Sequence, residues 1–373
     1  MIRLTVWSRD FQRRGQILAP LEVRFTPRWN AASSLIVKVD PSDRRVEDLR
    51  TEVCRIVAEY LPAGGLPVVR SGVVAGLSGG SGELEVSVRD DWADLMLGVL
   101  GWPNPPGGVG QQGDDGAYWA LRAPAETVAL EAIYANAARL GIPLAMDPTQ
   151  GRGALVDASL RFHPLADRLL PAVDAAGIGV HIVQDEAVRR VVVEVPRVRD
   201  RVLTEESGAV TSGTWSTSAP SVTRVLVGCG GEGTARVLRQ YIDTAREAVW
   251  PLREAFVDAR DISTDDPELD VKAQARADKA LLEGAATSSV AAALAETPRF
   301  AFGRTYRLGD RVSLRLRDSP VITDVVREVE IVWTAEAGLT VTPKVGLWSD
   351  SPDVQMARTV ARIEREQRDR RTV

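Results

Sequence analysis

The sequence predicts an α+β protein that is rich in β structure. Segments towards both ends of the chain alternate apolar and polar residues, which is the period of a half-buried strand. Only the middle of the chain alternates helical segments with strands. The length of 373 residues is too great for one small core and fits two or three domains.

The N-terminal part of the chain is predicted to be mainly strands. Residues 46–61 are the exception, because their apolar side chains recur at helical spacing before a proline–glycine stop, and a helix is predicted there. Serine and glycine between the last two strands can supply the positive φ angles of a tight connection. The predicted strands cover residues 4–7, 21–25, 34–39, 68–77 and 83–88.

The middle of the chain opens with a segment in which glycine and proline are too dense for a helix or a strand. Residues 101–116 are therefore predicted to form a long exposed loop. Helices are predicted over residues 125–140 and 164–176, each of which is followed by a glycine. With strands over residues 178–183 and 191–195, they form a small α/β unit of about 75 residues.

After Pro196 the alternating pattern returns. One alanine-rich block, residues 269–294, is predicted to be helical. Residues 353–371 are predicted to form a charged C-terminal helix with a thin apolar stripe of Met356, Val360 and Ile363. The predicted strands of this part cover residues 222–227, 312–316, 325–333 and 339–342.

Composition limits the function classes. Hydrophobic residues make up 45% and charged residues 26%, which is typical of a globular protein. The net charge of −5 argues against a dedicated nucleic-acid binder. Two cysteines, Cys54 and Cys229, are too few for a disulfide framework or a thiolate metal site. No secretory signal is visible at the N-terminus, so synthesis in the cytoplasm is expected.

One glycine-rich motif matches a nucleotide-binding pattern. Gly228, Gly230 and Gly233 have the spacing of the dinucleotide fingerprint and follow a predicted strand. The second strand of the required βαβ unit is missing, because Pro251 interrupts the region where it would lie. The pattern favours a hairpin or bulge in an antiparallel sheet, and a nucleotide-dependent enzyme using residues 228–233 is the alternative.

Other candidates for chemistry are isolated. His163 precedes a helix and is expected to be an N-terminal cap or a partly buried ring, and His181 is expected on the strand face that points away from the core. The aspartates of residues 258–270 do not have the spacing of a calcium-binding loop. No metal-ligating residue or cofactor is therefore assigned.

Two pairs of acids, Glu205–Glu206 and Asp90–Asp91, could serve as general acid and base. A cell-wall hydrolase using Glu205 or Asp90 is thus a second enzyme alternative. Exposed loop carboxylates are common, so no catalytic residue is assigned. The protein is predicted not to be an enzyme.

Tryptophan and arginine are frequent, and both are enriched at protein interfaces. Nine tryptophans occur against six phenylalanines, and 46 basic residues less four lysines leave 42 arginines. Trp102 and Trp348 lie beside loop sequences, where contact with a partner is plausible. Abundant strands, long loops and the lack of a chemical site together indicate a role in assembly.

Several short segments follow one another in an order that is known from one protein family. They are residues 4–10, 21–25, 28–30, 71–74, 225–236, 306–312 and 343–346. Their order resembles that of the minor tail proteins of long-tailed phages infecting GC-rich bacteria, which are related to the baseplate hub, or tail-associated, proteins. Cys229 departs from the small residue or glycine expected there, and the segment 46–61 looks like an elaboration.

The resemblance implies a virion protein of the tail tip that forms a trimeric hub. It implies two β-barrel-like hub domains, here residues 1–122 and 201–350, with an inserted α/β domain (123–200) and a C-terminal helix (351–373). The hub would close the tail tube and open for DNA passage without binding DNA specifically. Its partners would be other copies of itself, the distal tail protein or tail tube, the tape measure protein, and the central fibre or receptor-binding proteins. A receptor-binding or fibre-attachment protein of the same virion is the remaining alternative.

Overall fold

The computed structural model describes residues 1–51, 53–80, 82–105, 107 and 118–346. By packing, the chain forms two units: the first comprises residues 1–214 and the chain from Ala291 onward, and the second comprises Trp215–Val290. Most of the predicted loop at 101–116, and all of the predicted helix at 353–371, lie outside the described residues. No helix among the described residues is long and apolar enough to cross a membrane.

The N-terminal elements of the first unit are strands with one short helix, and the five strands predicted there are present. The predicted helix at 46–61 is wrong: only its first part is helical, and the rest is strand β5. This strand lies between two others and is buried on both faces, so the alternation that would have revealed it is missing. The elements are β1 (Ile2–Trp7), β2 (Arg13–Ile17), β3 (Glu22–Thr26), β4 (Ser34–Val39), α1 (Val46–Thr51), β5 (Arg55–Tyr60), β6 (Val68–Gly79) and β7 (Leu84–Asp90).

The middle of the chain forms a small α/β layer in the first unit. Both predicted helices and both predicted strands are present here, and the helices pack on the strands around one apolar core that includes Val128, Ile133, Leu165 and Ile182. The elements are α2 (Asp91–Met96), β8 (Leu100–Gly101), β9 (Trp119–Pro124), α3 (Ala125–Arg139), β10 (Leu144–Met146), β11 (Leu155–Leu160), β12 (His163–Pro164), α4 (Leu165–Ala175), β13 (Gly179–Asp185) and β14 (Val188–Glu194).

The remaining elements are again mostly strands. The block predicted to be helical over residues 269–294 is partly wrong, because the helix ends at Glu283 and β20 follows it. The small side chains of Ala292 and Ala293 are buried in the sheet, and alanine by itself does not reveal a strand period. The elements are β15 (Val198–Thr204), β16 (Val210–Ser218), β17 (Arg224–Gly228), β18 (Leu238–Ile242), α5 (Thr244–Glu247), β19 (Glu254–Asp258), α6 (Leu269–Glu283), β20 (Thr287–Leu294), β21 (Arg311–Arg315), β22 (Ile322–Thr334) and β23 (Gly338–Gly346).

Within the described residues, thirteen strands join in one large sheet in the order β16-β20-β23-β22-β3-β4-β7-β6-β5-β1-β2. The sheet branches at β22, which also pairs with β21, and β21 pairs with β15. Strands from both ends of the sequence are therefore neighbours, as β22 and β3 pair from Ile331↔Phe25 to Thr334↔Glu22. The second unit contains the separate three-stranded sheet β18-β17-β19.

Candidate functional site

A buried polar cluster joins β5, β6, α2 and β13 in the first unit. Asp91, the first residue of α2, is fully buried and accepts hydrogen bonds from Arg55 Nη2 and Ser71 Oγ, each at 2.5 Å. Arg55 Nε donates to Gln184 Oε1 at 2.8 Å, and the Gln184 backbone N–H donates to Ser71 Oγ at 2.6 Å. A buried carboxylate held in this way is an internal structural group. The cluster offers Asp91 no exposed position for acid–base chemistry.

Asp90 is also a structural residue in this geometry. It accepts hydrogen bonds from the backbone N–H groups of Ser33 (2.6 Å) and Trp92 (3.2 Å), and so caps the N-terminus of α2. Burial raises the pKa of Asp90 to about 6, against the attraction of Arg70. Glu205, the other acid considered for hydrolysis, lies in the exposed turn between β15 and β16. The two carboxyl groups thus belong to different elements and different surroundings.

His181 lies against a cavity of about 250 Å³ in the first unit. The expectation that His181 points away from the core is confirmed, because Val180 and Ile182 belong to the α/β core and His181 does not. Its side chain is nevertheless buried: Trp29 packs edge-on against it at 5.7 Å between ring centroids. Its Nε2 lies 3.1 Å from Glu194 Oε2. Burial, and then repulsion by Arg70, lower the pKa of His181, so the imidazole is neutral at pH 7.

His163 lies in β12 and is half-buried, as expected, but the N-cap position of the following helix is occupied by Pro164. The histidine therefore precedes the cap position, and the alternative of a partly buried ring is the one confirmed.

The ring of Trp29 is held between two glycines. A Cβ atom added to Gly179 would lie 2.1 Å from Trp29 Cη2, and one added to Gly309 would lie 2.3 Å from Trp29 Cζ3. Gly309 also has a φ of +83°, which L side chains rarely adopt. We call this placement of the Trp29 indole between Gly179 and Gly309 the Trp29 wedge. It explains why the segment Tyr306–Asp310 contains a glycine, because the indole occupies the space that a side chain would need.

The same sequence places a buried aspartate next to that glycine. Asp310 is 2% exposed and accepts hydrogen bonds from the backbone N–H groups of Arg197 (2.9 Å) and Arg307 (3.1 Å). Arg199 Nε donates to its Oδ2 at 2.9 Å. Asp310 therefore fixes the start of β15 relative to β21. Nearby, the Tyr306 hydroxyl donates a hydrogen bond to Glu296 Oε1 at 2.6 Å.

The glycine-rich loop of the second unit connects β17 to β18, which are antiparallel, and the predicted hairpin-like connection is confirmed. The sheet is mixed, however, because β17 also pairs in parallel with β19. The backbone N–H groups of Cys229 and Gly230 donate to Val237 O (2.9 Å) and Ile262 O (2.8 Å). Because these donors are already used, they are not free to cradle a phosphate.

The glycines of this loop have a structural reason within the chain itself. A Cβ at Gly230 would lie 2.9 Å from Ile262 O, and one at Gly231, where φ is +99°, would lie 2.5 Å from Ala235 O. The close approach that glycine permits is thus to the chain's own backbone. The arrangement does not favour the nucleotide-dependent alternative.

Four of the five aspartates of residues 258–270 are held in ion pairs: Asp258, Asp261, Asp266 and Asp270. Asp261 pairs with Arg276 and Asp266 with Lys272, each at 2.7 Å. No group of three or more His, Cys, Asp or Glu residues that could hold a metal ion occurs in the described part of the chain. The structure therefore offers no reason to assign calcium to this segment.

The three-stranded sheet of the second unit has one covered and one open face. Helix α6 covers the face that carries Val225 and Val227, which form a small core with Ala273 and Ala277. The opposite face carries large apolar side chains that are exposed: Leu238 (49%), Ile242 (43%) and Phe256 (55%). Trp250, on the loop before β19, is 38% exposed. We call the residues 238, 242 and 256 the open face; exposed apolar clusters of this kind mark contact surfaces.

The two tryptophans expected at a partner contact have different outcomes. The indole of Trp102 packs edge-on against Phe162 at 4.8 Å, and the guanidinium of Arg139 lies over it at the same distance, so this side chain has internal contacts. Trp348 lies outside the described residues. The open face was not predicted from the sequence. Leu238 and Ile242 lie an even number of positions apart, as expected for two apolar side chains on one face of a strand, and this spacing was the available signal.

The sequence from residue 3 to residue 347 matches the profile of the family described as siphovirus ReqiPepy6 Gp37-like protein. No curated protein matches the chain in sequence.

The fold is similar to solved structures of phage tail proteins. With the 43 kDa tail protein of prophage MuSo2 from Shewanella oneidensis, the TM-score is 0.53 at 11% identity, over 92% of this chain and 98% of that one. With the tail protein from Neisseria meningitidis MC58, it is 0.51 at 13% identity, over 93% and 97%. With prophage tail protein gp18 from Listeria monocytogenes EGD-e, it is 0.53 at 10% identity, over 97% and 99%. At these identities the likeness shows a shared fold.

Proposed function

Because the chain belongs to the siphovirus ReqiPepy6 Gp37-like family, and is a structural protein of the phage tail or baseplate, we propose that it is the trimeric hub of the tail tip. The hub closes the end of the tail tube and joins it to the central fibre or receptor-binding proteins. It opens for passage of the tape measure protein and DNA. The observation that carries the proposal is the family match over residues 3–347, together with a fold shared over nearly the whole chain with tail proteins.

The large sheet supports two barrel-like hub domains. Twisted open sheets rarely exceed about ten strands without curling or splitting. The thirteen strands described here also branch at β22, where one strand has three partners. We therefore propose that the sheet is divided into two curved halves, which in a trimer would present six similar domains to a hexameric tube.

The exposed side chains support assembly through protein contacts. The open face of the second unit leaves Phe256 more than half exposed, a cost that a monomer would ordinarily avoid. A net charge of −5 is also suited to a conduit that must release DNA, since retention grows with the number of cationic contacts. DNA would then pass the hub without specific binding.

We also propose that the protein has no catalytic activity. The acids considered for hydrolysis are a buried helix cap and an exposed turn residue, and the backbone N–H groups of Cys229 and Gly230 in the glycine-rich loop are used within the chain. Calorimetry with NAD and with ATP at millimolar concentration should give no binding heat. Saturable heat that disappears in Gly231→Ala would instead support the nucleotide-dependent alternative.

The hub proposal is tested by the mass and shape of the assembled protein and by its place in the virion. Native mass spectrometry and particle images of the protein, alone and with the tail-tube proteins, should show a trimer with an axial hole. Antibodies against the chain should label the tail tip on the tube axis. Labelling around the periphery of the tip would overturn the hub in favour of a receptor-binding or fibre-attachment protein.

A further inference from the structure

A cavity of about 590 Å³ lies in the first unit, beside strand β15. This volume is within the range of protein sites that bind small ligands or peptide side chains. Three arginines line it, Arg199, Arg201 and Arg299, together with the apolar residues Leu203, Phe300 and Val312. We call it the arginine pocket. Leu203 and Val312 are buried, so the pocket combines an apolar floor with a cationic rim.

Two of the three arginines lie on parts of the fold that hydrogen bonds define. Arg199 is held by the buried carboxylate of Asp310, with Nε at 2.9 Å from Oδ2. Arg299 lies in a tight turn between Thr297 and Phe300. The backbone N–H of Thr297 donates to Phe300 O (2.9 Å), and the backbone N–H of Phe300 donates to Thr297 O (3.0 Å). The ring of Phe300 in turn stacks on Tyr306 at 3.9 Å between centroids. Arg199 and the backbone of the turn that carries Arg299 are therefore fixed by the fold, and this part of the pocket need not be ordered on binding.

The charges of the three arginines are compensated to different extents. Asp310 neutralises Arg199, but neither Arg201 nor Arg299 has an ion-pair partner among the residues that the structure describes. Cationic groups in a concave site with low-dielectric walls concentrate the potential there. The planar guanidinium also matches the two oxygens of a carboxylate. Unpaired arginines beside an apolar floor are suited to an anionic group that is attached to an apolar one.

We propose that the arginine pocket binds an acidic segment of a partner polypeptide. A carboxylate would bind Arg201 and Arg299, and a neighbouring apolar side chain would contact Leu203 and Val312. A nucleic acid fits less well, because its phosphates cannot use the apolar floor and nucleic-acid surfaces follow the backbone along an extended cationic stripe. The inference rests on the proposed function in one respect, as it gives the chemistry of one partner of the hub.

The test is fluorescence anisotropy with the full chain and a labelled short peptide of alternating leucine and glutamate. The matched probe replaces glutamate with glutamine, and a labelled DNA duplex is the third probe. The acidic peptide should bind, and Arg201→Ala and Arg299→Ala should each weaken binding about tenfold. Arg122→Ala, which changes an exposed arginine that does not line the pocket, should leave the affinity unchanged.

The inference would be overturned if the acidic and glutamine peptides bound equally well, or if the acidic peptide did not bind at all. It would also be overturned if the Arg201→Ala/Arg299→Ala double variant bound the acidic peptide with the affinity of the unsubstituted chain. Tighter DNA binding that is lost in the same variants would reassign the pocket to nucleic acid. Because both arginines are exposed, we expect each variant to remain folded, and circular dichroism checks this. A variant that loses peptide binding but still forms the trimer shows that the pocket and the trimeric hub can be tested separately. A protein that binds the peptide but never assembles contradicts the hub proposal and leaves the pocket inference standing.

Discussion

Replacing Gly179 with alanine tests the Trp29 wedge directly. The added Cβ would lie 2.1 Å from Cη2 and 2.3 Å from Cζ3 of the indole, whereas ordinary van der Waals contacts begin near 3.4 Å. The ring would thus have to move by more than about 1 Å. It cannot do so freely, because His181 packs against one side and Gly309 lies on another. Gly179 has no positive φ, so the effect is purely steric.

The expected loss in the free energy of unfolding is about 1–3 kcal/mol, the usual cost of overpacking a core. Thermal and urea unfolding followed by circular dichroism measure it. Gly80→Ala is the matched control, because a Cβ there meets nothing within 4 Å, and its effect should stay within about 0.5 kcal/mol.

A double-mutant cycle distinguishes the wedge from a general glycine effect. Trp29→Phe removes the atoms that the new methyl would strike, at the cost of a cavity. In that background Gly179→Ala should cost much less, which gives a coupling energy of about 1–3 kcal/mol. Additive effects of the two substitutions, or an unchanged stability of Gly179→Ala, would refute the reasoning.

Three further predictions concern the buried acids and the open face. Asp91→Asn leaves the guanidinium of Arg55 without its carboxylate and should destabilise the fold by about 3–5 kcal/mol, measured by urea unfolding. The pKa of Asp90 is raised to about 6 in the folded chain against an ordinary value of 3.8, so its protonated form is the one that folding favours. The contribution of Asp90 to the free energy of unfolding should be complete below about pH 4 and lost as the pH rises through 6, by up to about 3 kcal/mol. The Asp90→Asn variant should lack this loss. Identical pH profiles of stability for the variant and the unsubstituted chain would contradict the assignment. Phe256→Asp on the open face should reduce the trimer fraction in native mass spectra without unfolding the chain, whereas Val271→Asp, at an exposed position of α6, should not; equal effects would remove the open face from the assembly.

Secondary structure was predictable from the sequence wherever one face of an element is solvated. Strands β4 and β7 alternate buried and less buried residues, and their pattern predicts them directly. Strand β5 is buried on both faces and was mistaken for helix. The same reason explains His181: its strand lies between the α/β core on one side and Trp29 on the other, so polarity in the sequence did not indicate exposure.

The candidate sites show a similar division. The hairpin-like connection of the glycine-rich loop was predictable, but the reason given for it was only partly right. A parallel partner of β17 does follow Pro251, namely β19, while β18 supplies the antiparallel partner. The arginine pocket could not be predicted, because Arg201 and Arg299 are distant in sequence. Arg201 is on β15 and Arg299 is in the turn between Thr297 and Phe300, and only the folded chain places this turn beside β15.

The β-rich class, most of the strands, the hairpin at Gly228–Gly233 and the resemblance to phage tail proteins could all be inferred from the amino-acid sequence. These depend on local periodicity, turn residues and the order of segments along the chain. The folded chain was needed to show which polar groups are buried, that Trp29 fits between Gly179 and Gly309, and that one sheet face of the second unit is exposed. The physical reason is that burial and pairing are set by residues far apart in the chain, whose meeting no local pattern encodes.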